Sequence, residues 1–197
     1  MIRVWDPVVR SFHWGLAACF ALAWLTADEV QAAHEWLGYT AAALVALRVV
    51  WGFVGSRYAR FAQFLRGPGA VVAYLRAMVA GRERRHIGHN PAGAAMIVAL
   101  LVAMAGTALT GWLMAEPSRQ ALLPAIVTPA FADDHGQGKG RSEDMIEEIH
   151  ETLANLMLAL VLLHLGGVAL ASVRHRENLA RSMVTGLKRP AEPGDID

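Results

Sequence analysis

Two histidines, His150 and His164, stand fourteen residues apart in the apolar stretch HETLANLMLALVLLHLGGVALAS. On a helix, fourteen residues at about 100° each return to nearly one face, with an axial rise of roughly 21 Å. That rise covers most of a hydrocarbon core about 30 Å thick. Imidazoles are rare inside membrane helices and mark function there. Two on one face, one toward each leaflet, point to two stacked cofactor sites, and axial haem ligation is the chemistry that needs such histidines.

The elements that must hold them are four apolar blocks, at about residues 8–27, 34–55, 91–115 and 148–173. A backbone crossing hydrocarbon has to satisfy its own hydrogen bonds, so all four are expected as α-helices. The expected fold class is all-α: an integral membrane four-helix bundle, one domain over 1–197, with an additional cytoplasmic interfacial helix. That helix is GPGAVVAYLRAMVAG, about 67–81, where apolar residues stand among arginines. Asn90-Pro91 opens the third span with a cap residue and a helix-initiating proline. The acids after Ser142 suit the N-terminus of the fourth. Gly186 and Pro190 mark the expected close of the last ordered segment.

Charge orients the bundle. Arg3 and Arg10 precede the first span; residues 56–90 hold seven arginines against one acid, Glu83; and Arg174, Arg176, Arg181, Lys188 and Arg189 follow the last. The first connection has only Asp28 and Glu29, and residues 116–148 hold seven acids and three bases. The positive-inside rule places both termini and the middle loop in the cytoplasm, and the 116–147 loop in the periplasm. The first block is expected to be retained rather than cleaved as a signal, because Leu25-Thr26-Ala27 lacks a small-x-small cleavage site. PAFADD at 129–134 resembles such a site but is too far from the N-terminus. The outer loop, about 116–148, is expected either to dock a partner or act as a lid, or else to be disordered from about 132 to 142.

That topology sorts four histidines by depth. His13 and His164 fall toward the cytoplasmic side, His34 and His150 toward the periplasmic side. Each pair draws on two helices, as a bis-histidine haem requires. Taken alone, His13, His34 and His150 could each be ordinary interfacial side chains; the cross-helix pairing at matched depth is what selects them. Arg48 lies inside the second span, fourteen residues from His34. It is expected either to meet a propionate of the inner haem or to snorkel to lipid phosphates. Arg10, one turn before His13, is a second propionate candidate. His86 and His89 are expected as capping or solvated residues, and His135 and His175 as solvated. Gly15, Gly38, Gly106, Gly111, Gly166 and Gly167 are small enough either to admit a flat macrocycle or simply to let helices pack.

Composition removes other classes. The chain is 55% hydrophobic, with a mean hydropathy of +0.34, above the soluble average of about 45–50%. A single cysteine, Cys19, rules out an intramolecular disulfide, a CxxC redox pair and a CxxCH covalent-haem motif. Any haem is therefore non-covalent. No proton-transfer carboxylate is expected to be buried in a helix, which argues against a pump. Nothing suggests nucleic acid as a partner.

The segments VWDPVVRSFHW, HEWLGYTAAALVALRVVWGFVG, GHNPAGA and EIHETLANLMLALVLLHLGGVALAS…RENLARSMVTG resemble the bacterial cytochrome b-561 family. More narrowly, they resemble the branch that includes the b-type cytochrome subunits of nickel–iron hydrogenases, and the likeness runs from about residue 3 to 188. The resemblance implies a bacterial inner-membrane protein with two b haems, one toward each leaflet. It puts the FHW histidine at His13 and the HEWLGY histidine at His34, with His150 and His164 from the last helix. It further implies electron transfer between a membrane quinone pool, ubiquinone for example, and a periplasmic partner such as a c-type cytochrome or hydrogenase-like subunit. Some relatives oxidise superoxide and reduce ubiquinone without a protein partner, which is the alternative. That anion favours a basic outer surface, whereas the outer loops here are acidic apart from Arg119, Lys139 and Arg141. A haemless membrane anchor is the third reading, disfavoured by the histidine pairing.

Overall fold

The computed structural model describes residues 1–27, 29–116, 118–119 and 138–197, with the backbone alone for 138–143. Asp28, Pro117 and residues 120–137, which include the PAFADD segment and His135, lie outside the described residues, as do the side chains of Lys139 and Arg141.

Among the described residues, four helices are long and apolar enough to cross a membrane. Helix α1 spans Pro7–Thr26; Asp6 caps it by accepting the Val9 amide at 3.0 Å, and Pro7 occupies the first turn. Helix α2 spans Gln31–Val54 and ends at Gly55, whose amide donates to the Trp51 carbonyl at 2.8 Å. A 3-10 turn at Arg57–Ala59, a short α3 at Phe61–Phe64 and α4 at Pro68–Val79 fill the middle connection. Helix α5 spans Pro91–Met114, capped by the Asn90 side chain on the Gly93 amide at 2.7 Å. Helix α6 spans Gly138–Arg174. It starts about ten residues before the apolar block, because helix formation continues through the acidic stretch ahead of the span.

These long helices are apolar on every side, and large side chains remain uncovered. Phe53 is 70% exposed and Leu163 is 64% exposed. Such surface is compatible with lipid and not with water. Helix α5 lies along α6, α1 along α2, and α2 along α5, whereas α6 makes no comparable backbone contact with α1 or α2. The bundle centre joins Cys19 of α1, Ala41 and Val45 of α2, Ala103 and Met104 of α5, and Met157 of α6.

The end that carries both termini is closed by a second core of Val4, Trp5, Val9, Ala59 and Ile87. Helix α7, Leu179–Thr185, completes it, capped by Asn178 and closed by Gly186 in the left-handed conformation at φ 80°. Strand β1 (Ile2–Arg3) pairs antiparallel with β2 (Leu187–Lys188), in the register Ile2 to Lys188. The chain does not lose order at Gly186 or Pro190, as the sequence suggests. It folds back, and Ile196 exchanges backbone hydrogen bonds at 2.9 Å with Arg85 and Ile87. Buried charge holds it there. Arg85 donates to Glu177 at 2.8 and 3.2 Å and also bonds Asp195, while Lys188 donates to the Ile87 carbonyl at 2.9 Å.

Candidate functional site

Helices α1 and α6 bring His13 and His164 together at the terminal end, with ring centroids 6.3 Å apart. At the distal end α2 and α6 bring His34 and His150 to 6.1 Å. With metal–imidazole bonds of about 2.0 Å and roughly another 1.1 Å from nitrogen to ring centre, two axial imidazoles on one metal place their centroids about 6 Å apart. Both pairs match that spacing. Because α6 stands away from α1 and α2, each pair spans an opening between helices rather than a packed seam. The residues therefore fit a bis-histidine haem at each level.

The distal pair is also oriented for ligation. His34 Nδ1 lies 2.9 Å from the Ala23 carbonyl, to which it donates, and this leaves Nε2 free. His150 Nδ1 lies 3.0 Å from the Thr110 hydroxyl. Gly111 faces the His150 ring, and a Cβ there would come 3.1 Å from Cε1. Partners of this kind fix the tautomer and orientation of a metal-binding histidine. At the terminal pair, His13 Nδ1 is buried without a hydrogen-bond partner.

Arg48 is 3% exposed and so does not snorkel to the lipid surface. Its Nη2 donates to the Ala59 carbonyl at 3.1 Å, and its guanidinium lies over the rings of Phe61 at 5.0 Å and Phe12 at 5.8 Å. Nη1 is buried and unpartnered, a donor available to an anion. Arg10 donates from Nη1 to the Val184 carbonyl in α7, and its Nε is likewise buried without a partner. Each arginine thus has one nitrogen bonded to a backbone carbonyl and another buried without a partner.

His89 departs from the sequence expectation. It is neither a cap nor solvated: Asn90 caps α5, and the His89 ring lies between those of Trp5 and Phe64, 4.6 Å from each. Burial, with the charges of Arg48 and Lys188, pushes it down to about 3, so it is neutral at physiological pH. His86 Nδ1 donates to the Arg84 carbonyl at 3.1 Å, and the ring meets Tyr74 edge-on. His175 is half-buried beside the charged cluster rather than free in solvent. Sequence reasoning missed Thr110 as the partner of His150; the signal was a hydroxyl at the same end of α5 as His150 on α6. It missed His89 because its burial depends on aromatic residues from two distant segments.

Between the two histidine levels lies an apolar layer. Met157 is seven residues from His150 and seven from His164, and is 2% exposed. Met104, Cys19, Phe20 and Leu37 pack around it.

One protein-family model, described as prokaryotic cytochrome b561, matches residues 4–186. Among curated proteins and solved structures nothing matches the chain.

Proposed function

This chain belongs to the prokaryotic cytochrome b561 family, and from that premise we propose that it holds two b haems, one at each histidine level. The family carries electrons across a membrane by b-type haem, and the four apolar helices make this a multi-pass membrane protein. In the proposed reading His13 and His164 hold the haem toward the cytoplasm, and His34 and His150 the haem toward the periplasm. Bound haem supplies a reversible one-electron ferric–ferrous couple. The observation that carries the reading is the pair of centroid spacings, 6.3 and 6.1 Å, on opposite sides of one apolar layer.

The protein's own groups do the rest. The Ala23 carbonyl and the Thr110 hydroxyl orient the distal imidazoles. The Met157 layer separates the two levels and excludes water. Arg48, with its spare Nη1, supplies a buried positive charge suited to a haem carboxylate at the terminal end. Lipid surrounds the bundle, in the bacterial inner membrane with both termini cytoplasmic, as the arginine distribution supports. Electrons would pass between a membrane quinone and a periplasmic redox protein, to which an acidic outer loop offers charge complementarity.

Haem content per chain, measured by pyridine haemochrome on detergent-purified protein, tests this reading. Two b haems are expected. One would remove a pair from the assignment, and none in fully matured protein would overturn it.

A further inference from the structure

We propose that Thr110 is the positioning residue of the distal site and sets its reduction potential by hydrogen-bonding the axial imidazole of His150. The inference rests on the two-haem reading above.

The Thr110 hydroxyl has two backbone carbonyls within reach of its hydrogen, Gly106 and Thr107, each at 3.0 Å. Its hydrogen is therefore committed to the backbone, and a lone pair faces His150 Nδ1 at 3.0 Å. Nδ1 then carries the hydrogen and donates it, which leaves Nε2 as the ligating atom. Next to Thr110 in the chain, Gly111 allows an approach that a Cβ would crowd, at 3.1 Å from Cε1 and 3.5 Å from Nδ1. The hydroxyl fixes the ring's rotation while the glycine admits the ring.

An acceptor on Nδ1–H makes the opposite nitrogen a stronger donor. A stronger axial donor stabilises the ferric state and lowers the potential. The distal site has such an acceptor on both histidines, from Ala23 and Thr110. The terminal site has none on His13, whose Nδ1 is buried and unpartnered. Second-neighbour hydrogen bonding thus distinguishes the two sites, and among the described residues Thr110 is the side-chain contributor at the distal site that substitution can remove.

The test is an optical redox titration of the purified holoprotein as wild type, Thr110→Val and Thr110→Ser. Valine keeps the shape and removes the acceptor, and serine keeps the hydroxyl. In T110V one haem is expected to shift to higher potential while the other stays in place, at unchanged haem content; T110S is expected to titrate as wild type. Loss of the distal haem alone in T110V, with recovery in T110S, also supports the role. Two haems titrating in T110V as in wild type would overturn it. Where T110V does not assemble, T110A is compared with T110S, and equal potentials in those two would overturn it. Absence of two bis-histidine haems from the wild type would instead be a failure of the underlying reading, and the haem count reports that separately.

Discussion

The guanidinium of Arg85 grips the carboxylate of Glu177, ninety-two residues further along the chain, through Nη2 at 2.8 Å and Nε at 3.2 Å. Both side chains are nearly sealed from solvent, at 4% and 7% exposure. This pair joins the segment ahead of α5 to the segment behind α6. Removing one partner from a buried pair leaves an uncompensated charge, at a cost of about 3–5 kcal/mol. Arg85→Ala is therefore expected to lower the melting temperature in detergent by on the order of 10 °C. Circular dichroism would read the change, and an unaltered melting curve would contradict it.

The same cluster gives a pH dependence. Burial alone raises the Glu177 carboxyl, but hydrogen bonds from Arg85 and the Arg189 amide outweigh it and hold the group below its ordinary value. Asp195 is held low in the same way, by the Glu192 amide and Arg85 against burial. A carboxylate with a depressed folded value contributes stability that is fully present above the unfolded value. That stability is lost as pH falls through the folded value. Wild type is expected to lose thermal stability more steeply below pH 4.5, the ordinary Glu value, than Glu177→Gln does. Parallel curves for the two proteins would count against the cluster as the source.

The two histidine levels are expected to be separable. His164→Ala removes a ligand from the terminal pair and leaves the distal pair whole, and His34→Ala does the reverse. Each variant is expected to retain about one haem of the two, by haemochrome. The retained haem should differ between variants in its potential. Retention of two bis-histidine haems in either would sink the assignment.

Gly52 is expected to tolerate no side chain. A Cβ there would collide with the Phe61 ring. That ring has little freedom to move, being set edge-on to Phe53 and Phe64 and lying under the Arg48 guanidinium. Overpacking of this kind costs about 1–3 kcal/mol. Gly52→Ala should lower the melting temperature, and Phe61→Leu in the same chain should restore part of it. If Gly52→Ala melts as wild type, Phe61 is freer than its neighbours suggest.

The spans were legible because hydrocarbon demands long apolar helices, and the start of α5 carries a local signal at Asn90-Pro91. The meeting of His13 with His164 was legible for the same reason: once the spans are oriented, depth follows from position along a helix. The closure of the terminal end was not. It depends on Arg85 finding Glu177 and Asp195, and on Trp5 and Phe64 enclosing His89. Those contacts join segments with no periodicity, so local pattern could not announce them. Thr110 was hidden differently: one threonine in an apolar helix acquires its role only through the facing histidine.

The Met157 layer has an electrical consequence. Its packed residues, Cys19, Ala41, Val45, Ala103, Met104 and Met157 among them, include no carboxylate or amine. Nothing in it can shift a compensating charge when an electron passes between the levels. The levels are roughly 21 Å apart in a layer about 30 Å thick. On the two-haem reading each passage is electrogenic, and the voltage across the membrane does work on it of roughly 1.6 kcal/mol per 100 mV, about two-thirds of the full-span value. The direction of the field then favours traffic one way through the bundle, whatever stands at either end.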